Sequence, residues 1–170
     1  MKHVIPRRLS DPVESVSVEV DTTLARFPGA VTEERAAFSG VGCIASGANE
    51  RGRGYVFFVA AIGEVTGYAL VRLDETDKSL REDEYFKYLA DAASDVVADP
   101  GESNHIRGEC RATEDGVNLA MFVTGKQVAT ASDPNGFHPF DGLAFEVLAP
   151  ESQTDIRYDN FRAENIGSSE

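Results

Sequence analysis

The sequence predicts an all-β fold, a two-sheet antiparallel β-sandwich of the jelly-roll type. Three observations carry that prediction. About nine to eleven short segments alternate apolar and polar residues at a period of two, the pattern of a half-buried strand. Gly, Pro, Asn and Asp punctuate those segments at close spacing. Few segments suggest a helix, and those are short.

Taken in order, residues 1–12 hold Pro6 and Pro12 and read as a lead-in or partial edge strand. Residues 13–166 form a single jelly-roll domain, and 167–170 a disordered tail. Ser15–Asp21 is the cleanest strand, with Val16, Val18 and Val20 opposed to Ser17, Glu19 and Asp21. Val31–Ala37 reads as a solvated loop with at most one helical turn. In Phe38–Ala45, Val41, Cys43 and Ala45 share a face. Gly47–Gly54 is a glycine-rich turn. Its isolated Gly52 and Gly54 lack the strand–helix frame of a phosphate loop. Tyr55–Ile62 is apolar on both faces, as an inner strand is, and Tyr68–Leu73 returns beside it. Asp74–Glu84 is charged and exposed, with Ser79 and Glu82 at capping-box spacing. Tyr85–Ala90 fits a helix and a strand equally well.

The centre of the chain is Asn104–Asp133. Ile106, Gly108, Cys110 and Ala112 alternate with Arg107, Glu109 and Arg111; Glu114-Asp115-Gly116 turns into Val117–Val123, and Thr124-Gly125-Lys126 turns into Gln127–Ala131. Three consecutive antiparallel strands make a meander. A turn-rich aromatic loop, Phe137-His-Pro-Phe-Asp-Gly142, leads to strands at Leu143–Leu148 and Asp155–Ala163.

The 170 residues fit one domain with a sizeable core, and 42% hydrophobic residues place it in the globular class. A net charge of -13, from 29 acidic and 16 basic residues, repels phosphate backbones and anionic lipid. Nucleic acid and membrane insertion are therefore excluded as expectations. No apolar run approaches spanning length, and the N-terminus lacks a hydrophobic signal core. Met1-Lys2-His3 reads as a start from which any targeting segment has been cut away. Cys43 and Cys110 fall on apolar strand faces, which suits one disulfide and hence an exported, extracellular or cell-surface protein. Two buried free thiols are the alternative.

Several phrases, in order, resemble the concanavalin A-like lectin/glucanase superfamily, closest to the laminin-G-like jelly rolls of bacterial exported proteins. They are Ser17-Val-Glu-Val-Asp21, Gly40-Val-Gly-Cys-Ile44, Tyr55-Val-Phe-Phe58, Gly67-Tyr-Ala-Leu70, Asn104-His-Ile-Arg-Gly-Glu-Cys110, Leu119-Ala-Met-Phe-Val-Thr-Gly125, Asp141-Gly-Leu143 and Ile156-Arg-Tyr-Asp-Asn-Phe161. The resemblance implies two sheets of six or seven strands each, with rim loops that take sugars or calcium. It also implies a strand before Ser15, for which only Val4–Arg8 is available. A partly filled edge there allows self-association.

A glucanase of this superfamily needs Glu-x-Asp-x-x-Glu on one strand, so that nucleophile and acid share a face. Glu19 and Asp21 give the first half, but Leu24 stands at the third position. No catalytic residues are therefore expected, and the two carboxylates read as a solvated face. His3, His105 and His138 show no metal-ligand spacing. His105 reads as a surface residue. Sugar sites stack a ring on an exposed aromatic and orient it with amides or carboxylates. Trp is absent, so Phe137, His138 and Phe140 with Asn135 are the ligand-binding candidates, and Asp133 and Asp141 the weak calcium candidates. The opposing reading folds both phenylalanines inward as a cap. No cofactor is required. The expected function is a non-catalytic exported module that binds carbohydrate; the alternative is a structural or protein-interaction ectodomain contacting a cell-surface protein, and a glycoside hydrolase ranks third.

Overall fold

The structure, a computed structural model, describes residues 2–24, 36–45, 52–76, 85–148 and 156–167. Eleven strands fill them: β1 (Lys2–Val13), β2 (Ser15–Thr23), β3 (Ala36–Ile44), β4 (Arg53–Ile62), β5 (Val65–Asp74), β6 (Phe86–Ala93), β7 (Ser103–Thr113), β8 (Gly116–Val123), β9 (Lys126–Asp133), β10 (Phe140–Leu148) and β11 (Arg157–Asn165). Sheet A has the order β1-β10-β3-β4-β5-β6 and sheet B the order β11-β2-β7-β8-β9. Every pairing is antiparallel. The fold is a jelly-roll β-sandwich. Among the described residues sheet B has five strands, where the resemblance implied six or seven.

The meander is β7-β8-β9, paired in sequence order. Its turns follow from local chemistry. Gly116 at φ 141° closes the first, and Thr124 at φ 49° with Gly125 at φ 79° closes the second, a two-residue connection with positive φ at both positions. Between the sheets lie Val16, Val18 and Val20 of β2, Tyr55, Phe57 and Val59 of β4, and Ile106, Leu119 and Met121 of the meander, all buried. Gly108 is required by this packing. A Cβ there would sit 2.1 Å from Cδ2 of Phe57, inside the ring that crosses from sheet A. Cys43 of β3 and Cys110 of β7 are joined by a disulfide, with Cα atoms 6.6 Å apart, so the two sheets are cross-linked through the core.

β4 is buried on both faces, as its continuous apolar run predicts. Its outward residues Val56 and Phe58 pack with Ala69 and Val71 of β5, against Phe38 and Phe86. Phe38 and Phe58 meet edge to face at 6.0 Å.

The ambiguous stretch at Tyr85–Ala90 is strand: β6 adds to β5, because Leu89 and Ala90 reach the core there and complete the sheet. At the start of the chain, β1 runs along β10 from Lys2 opposite Val147 to Val13 opposite Phe140. Its register shifts after Val4 and again after Arg8, the intervals that contain Pro6 and Pro12, neither of which can donate a ladder hydrogen bond. β10 begins at Phe140, three residues earlier than its apolar alternation suggests. The capping-box pair Ser79 and Glu82, and most of the loop at Val31–Ala37, lie outside the described residues.

Candidate functional site

The aromatic loop between β9 and β10 plugs one end of the sandwich. Phe140 is fully buried and Phe137 nearly so, at 9% exposure, so neither ring is open to stack on a sugar. Both lean on Tyr55, with ring centroids 6.4 and 6.2 Å away. The Tyr55 hydroxyl donates to Oδ2 of Asp133 at 2.9 Å and accepts the Phe137 N–H at 3.1 Å. Burial raises the Tyr55 pKa far above the ordinary tyrosine value, so the phenol keeps the proton that it donates. Nε of Arg72 stands 3.5 Å from the same Asp133 oxygen, and the Asn135 N–H reaches Oδ1 at 3.2 Å. The Arg72 and Arg53 guanidinium groups lie over the Phe137 ring, 4.2 and 5.1 Å from its centroid. Asp133 is thus occupied inside the protein.

His138 and Asn135 stay at the surface, and His138 Nδ1 is 2.9 Å from Glu14. The His138–Pro139 peptide is cis. Asp141 follows Phe140 as the second residue of β10 and is half-buried. No group of three or more His, Cys, Asp or Glu that could hold a metal ion occurs among the described residues.

A second polar constellation covers the outer face of sheet B. Strand alternation puts every other residue of β11, β2, β7, β8 and β9 on this face, and antiparallel register lines them up in rows. Arg111, Asn118 and Ser132 form one row, Glu109, Ala120 and Thr130 the next. Arg111 donates to Glu109 through Nη2 at 3.0 Å and Nε at 3.3 Å; the Ser132 hydroxyl donates to Oδ1 of Asn118 at 2.7 Å. Between them runs a shallow groove of about 590 Å³ floored by Ala120. In the following row the Arg107 guanidinium covers the Phe122 ring at 3.9 Å.

Toward β11 the face turns into a charge network. Asp21 accepts from His105 Nδ1 at 2.6 Å and from Asn160 Nδ2 at 2.7 Å. Glu19 lies 3.7 Å from His105 Nε2 and 3.8 Å from Arg162 Nη1. The Asn160 bond, and then the His105 bond, hold the Asp21 carboxyl below its ordinary pKa. Asn160 reaches Asp21 because β11 bulges between Asp159 and Arg162, where Asn160 takes φ 52°.

Sequence reasoning placed Glu19, Asp21, Arg107, Glu109 and Arg111 on a polar strand face, and that is where they lie. It did not gather them into a site with Asn118, Thr130 and Ser132. The available signal was the meander itself: once two turns fix the register of three strands, Arg111 faces Asn118 and Asn118 faces Ser132.

The chain matches no protein-family model and no curated protein. It is similar in structure to a carbohydrate-binding module from Bacillus subtilis, at 12% identity over 91% of this chain and 78% of that one, with a TM-score of 0.55. An alginate lyase is similar at 12% identity over 97% and 75%, TM-score 0.64. Sheep galectin-11, solved in complex with glycerol, is similar at 12% identity over 94% and 95%, TM-score 0.52. At such identities the likeness is one of fold alone, a jelly-roll β-sandwich.

Proposed function

We propose that the chain is a non-catalytic carbohydrate-binding module that holds a neutral glycan in the groove on sheet B. The observation that carries this reading is the groove itself. Glu109, Arg111, Asn118, Thr130 and Ser132 line an apolar Ala120 floor with alternating acceptors and donors, fixed in register on three strands. Hydroxyl-rich ligands are oriented by such bidentate and amide groups, while the apolar floor takes their C–H faces. A rigid sheet holds those groups in place before binding. The carboxylates at Glu19, Asp21 and Glu109 and the net charge of -13 oppose a polyanionic glycan.

Absence of catalysis is supported by the state of the carboxylates. A general acid in glycoside hydrolysis needs a raised pKa, whereas the bonds from Asn160 and His105 lower that of Asp21. An exported setting is supported by the Cys43–Cys110 disulfide. No helix among the described residues is long and apolar enough to cross a membrane.

A glycan array tests the reading, with wild type beside the Arg111→Ala/Asn118→Ala protein, each with and without calcium. Selective binding of neutral glycans by the wild type alone is expected. The calcium arms read any contribution of Asp133 and Asp141, and the exposed His138–Asn135 rim is the competing location. Binding that survives the double substitution and falls on His138→Ala would move the site to that rim.

A further inference from the structure

A β-bulge in β6 places two unlike side chains next to each other. Strict alternation would send Tyr88 and Asp91, three residues apart, to opposite faces of sheet A. The register of β6 on β5 shifts between them: Val71 faces Tyr88 and Leu70 faces Ala90, so Leu89 is the additional residue. Leu89 and Ala90 both pack on the core between the sheets, and Tyr88 and Asp91 emerge together on the outer face. Both are exposed, and neither side chain has a polar partner among the described residues.

The pair borders a cavity of about 280 Å³. Small residues make its floor. Ala60, Gly67 and Ala93 stand in one row across β4, β5 and β6, and Ala69 in the next. Gly67 has no room to be larger, since a Cβ would sit 2.5 Å from the Ala92 carbonyl oxygen. Large side chains make the walls. Phe38 pairs with Ala60 and meets Phe58 edge to face, while Ile62 and Val65 close the end at the β4–β5 hairpin. Ile62, Val65 and Tyr88, at 42, 57 and 54% exposure, are the large apolar side chains that stand exposed among the described residues, and all three line this cavity. From β3 to β6 is three strand spacings, about 14 Å. The cavity is therefore a trough, with Phe38 at one end and Tyr88 and Asp91 at the other. Asp91 is the one charged side chain among the described residues that line it. The Thr66 hydroxyl is turned to the carbonyl oxygens of Ser94 and Val97, at 3.3 and 3.0 Å.

We propose that this trough binds a small amphiphilic organic cation, its ammonium or guanidinium group against the Asp91 carboxylate and the Tyr88 ring and its apolar body along Ala69, Gly67 and Ala60 toward Phe38. A carboxylate beside the face of a phenol ring attracts a cation and repels an anion. The net charge of -13 acts in the same direction by concentrating cations at the surface. A sugar is disfavoured, because the hydrocarbon lining leaves most of its hydroxyls without partners. A wholly apolar ligand is disfavoured too, since it would strip water from Asp91 and return nothing. This site lies on the opposite sheet from the glycan groove and is independent of it.

The test is a nitrogen–proton NMR titration with 4-phenylbutylamine, run beside 4-phenylbutanol, 4-phenylbutyrate and methylammonium. The amine should give saturable shifts at the amides of Val65, Gly67, Ala69, Asp91 and Ala93, half complete at about 1 mM or below. The alcohol should bind at least about threefold more weakly, and the carboxylate and the bare methylammonium should not saturate. Asp91→Asn should erase the preference for amine over alcohol. Glu114→Gln removes the same charge from the exposed β7–β8 turn of the other sheet and should leave that preference intact. Ala93→Leu fills the floor from an exposed position, so the fold is retained, and should weaken amine and alcohol alike by about tenfold or more. Equal binding of amine and alcohol, equal effects of Asp91→Asn and Glu114→Gln, undiminished binding by Ala93→Leu, or no saturation up to about 10 mM would overturn the proposal. Sedimentation of the protein alone showing a dimer that Tyr88→Glu dissolves would overturn it in favour of a second copy of this chain.

Discussion

Replacing Tyr55 by phenylalanine removes one oxygen from the plug that closes the end of the sandwich. The ring stays, so no cavity opens and the transfer cost of lost carbon is absent. Two hydrogen bonds go, both between buried groups: donation to Oδ2 of Asp133 at 2.9 Å, and acceptance from the Phe137 N–H at 3.1 Å. A bond to a charged acceptor contributes about 1.5–3 kcal/mol and a neutral one about 0.5–1.5 kcal/mol. Asp133 keeps Arg72 at 3.5 Å and the Asn135 N–H at 3.2 Å, so its charge is not left bare. The Phe137 N–H has no such substitute among the described residues. Together these give a loss of about 2–4 kcal/mol. Urea unfolding measures it, with the midpoint falling and the slope m unchanged, since the surface exposed on unfolding is the same. In an Asp133→Asn background the cost should shrink by about 1 kcal/mol, the share that belongs to the charged acceptor. A Tyr55→Phe protein within about 0.5 kcal/mol of wild type would refute the plug as an energetic element.

Replacing Cys43 and Cys110 together by alanine should cost about 4 kcal/mol, because the bridge closes a 67-residue span in the unfolded chain; a thiol count on the unreduced wild type should find none free. Gly108→Ala should destabilise by about 1–3 kcal/mol, since its Cβ meets the Phe57 ring at 2.1 Å and Phe57 is fully buried; an unchanged melting temperature would contradict that packing. The Asp21 carboxyl, followed by carbon NMR, should titrate below 3.8, and Asn160→Ala should move it upward. Its folded pKa is the lower one, so its contribution to stability is complete above the unfolded pKa and fades as pH falls through the folded value. A midpoint at or above 3.8 would count against the bonds from Asn160 and His105.

Much of the fold was legible because period and turn chemistry are local. Val16, Val18 and Val20 announce β2 without help from the rest of the chain, and Asp115-Gly116 and Thr124-Gly125 announce the meander turns. β6 was not legible: Phe86, Leu89 and Ala90 sit at spacings a helix also uses, and only the neighbouring β5 decides between them. The site was harder still. Phe137 and Phe140 look like a sugar platform because they sit in a turn-rich loop. What turns them inward is Tyr55, whose hydroxyl is 82 positions away from the Phe137 N–H that it accepts. The reverse holds on sheet B, where Glu109, Asn118 and Ser132 are ordinary strand residues singly and become a groove only through register.

The sharpest check is a nitrogen–proton NMR titration with neutral glucan and mannan hexasaccharides. Saturable shifts should gather at the amides of Glu109, Arg111, Asn118, Ala120, Thr130 and Ser132, with those of His138 and of β6 unmoved. Shifts confined to the His138 rim, or none at millimolar sugar, would contradict a glycan groove on sheet B.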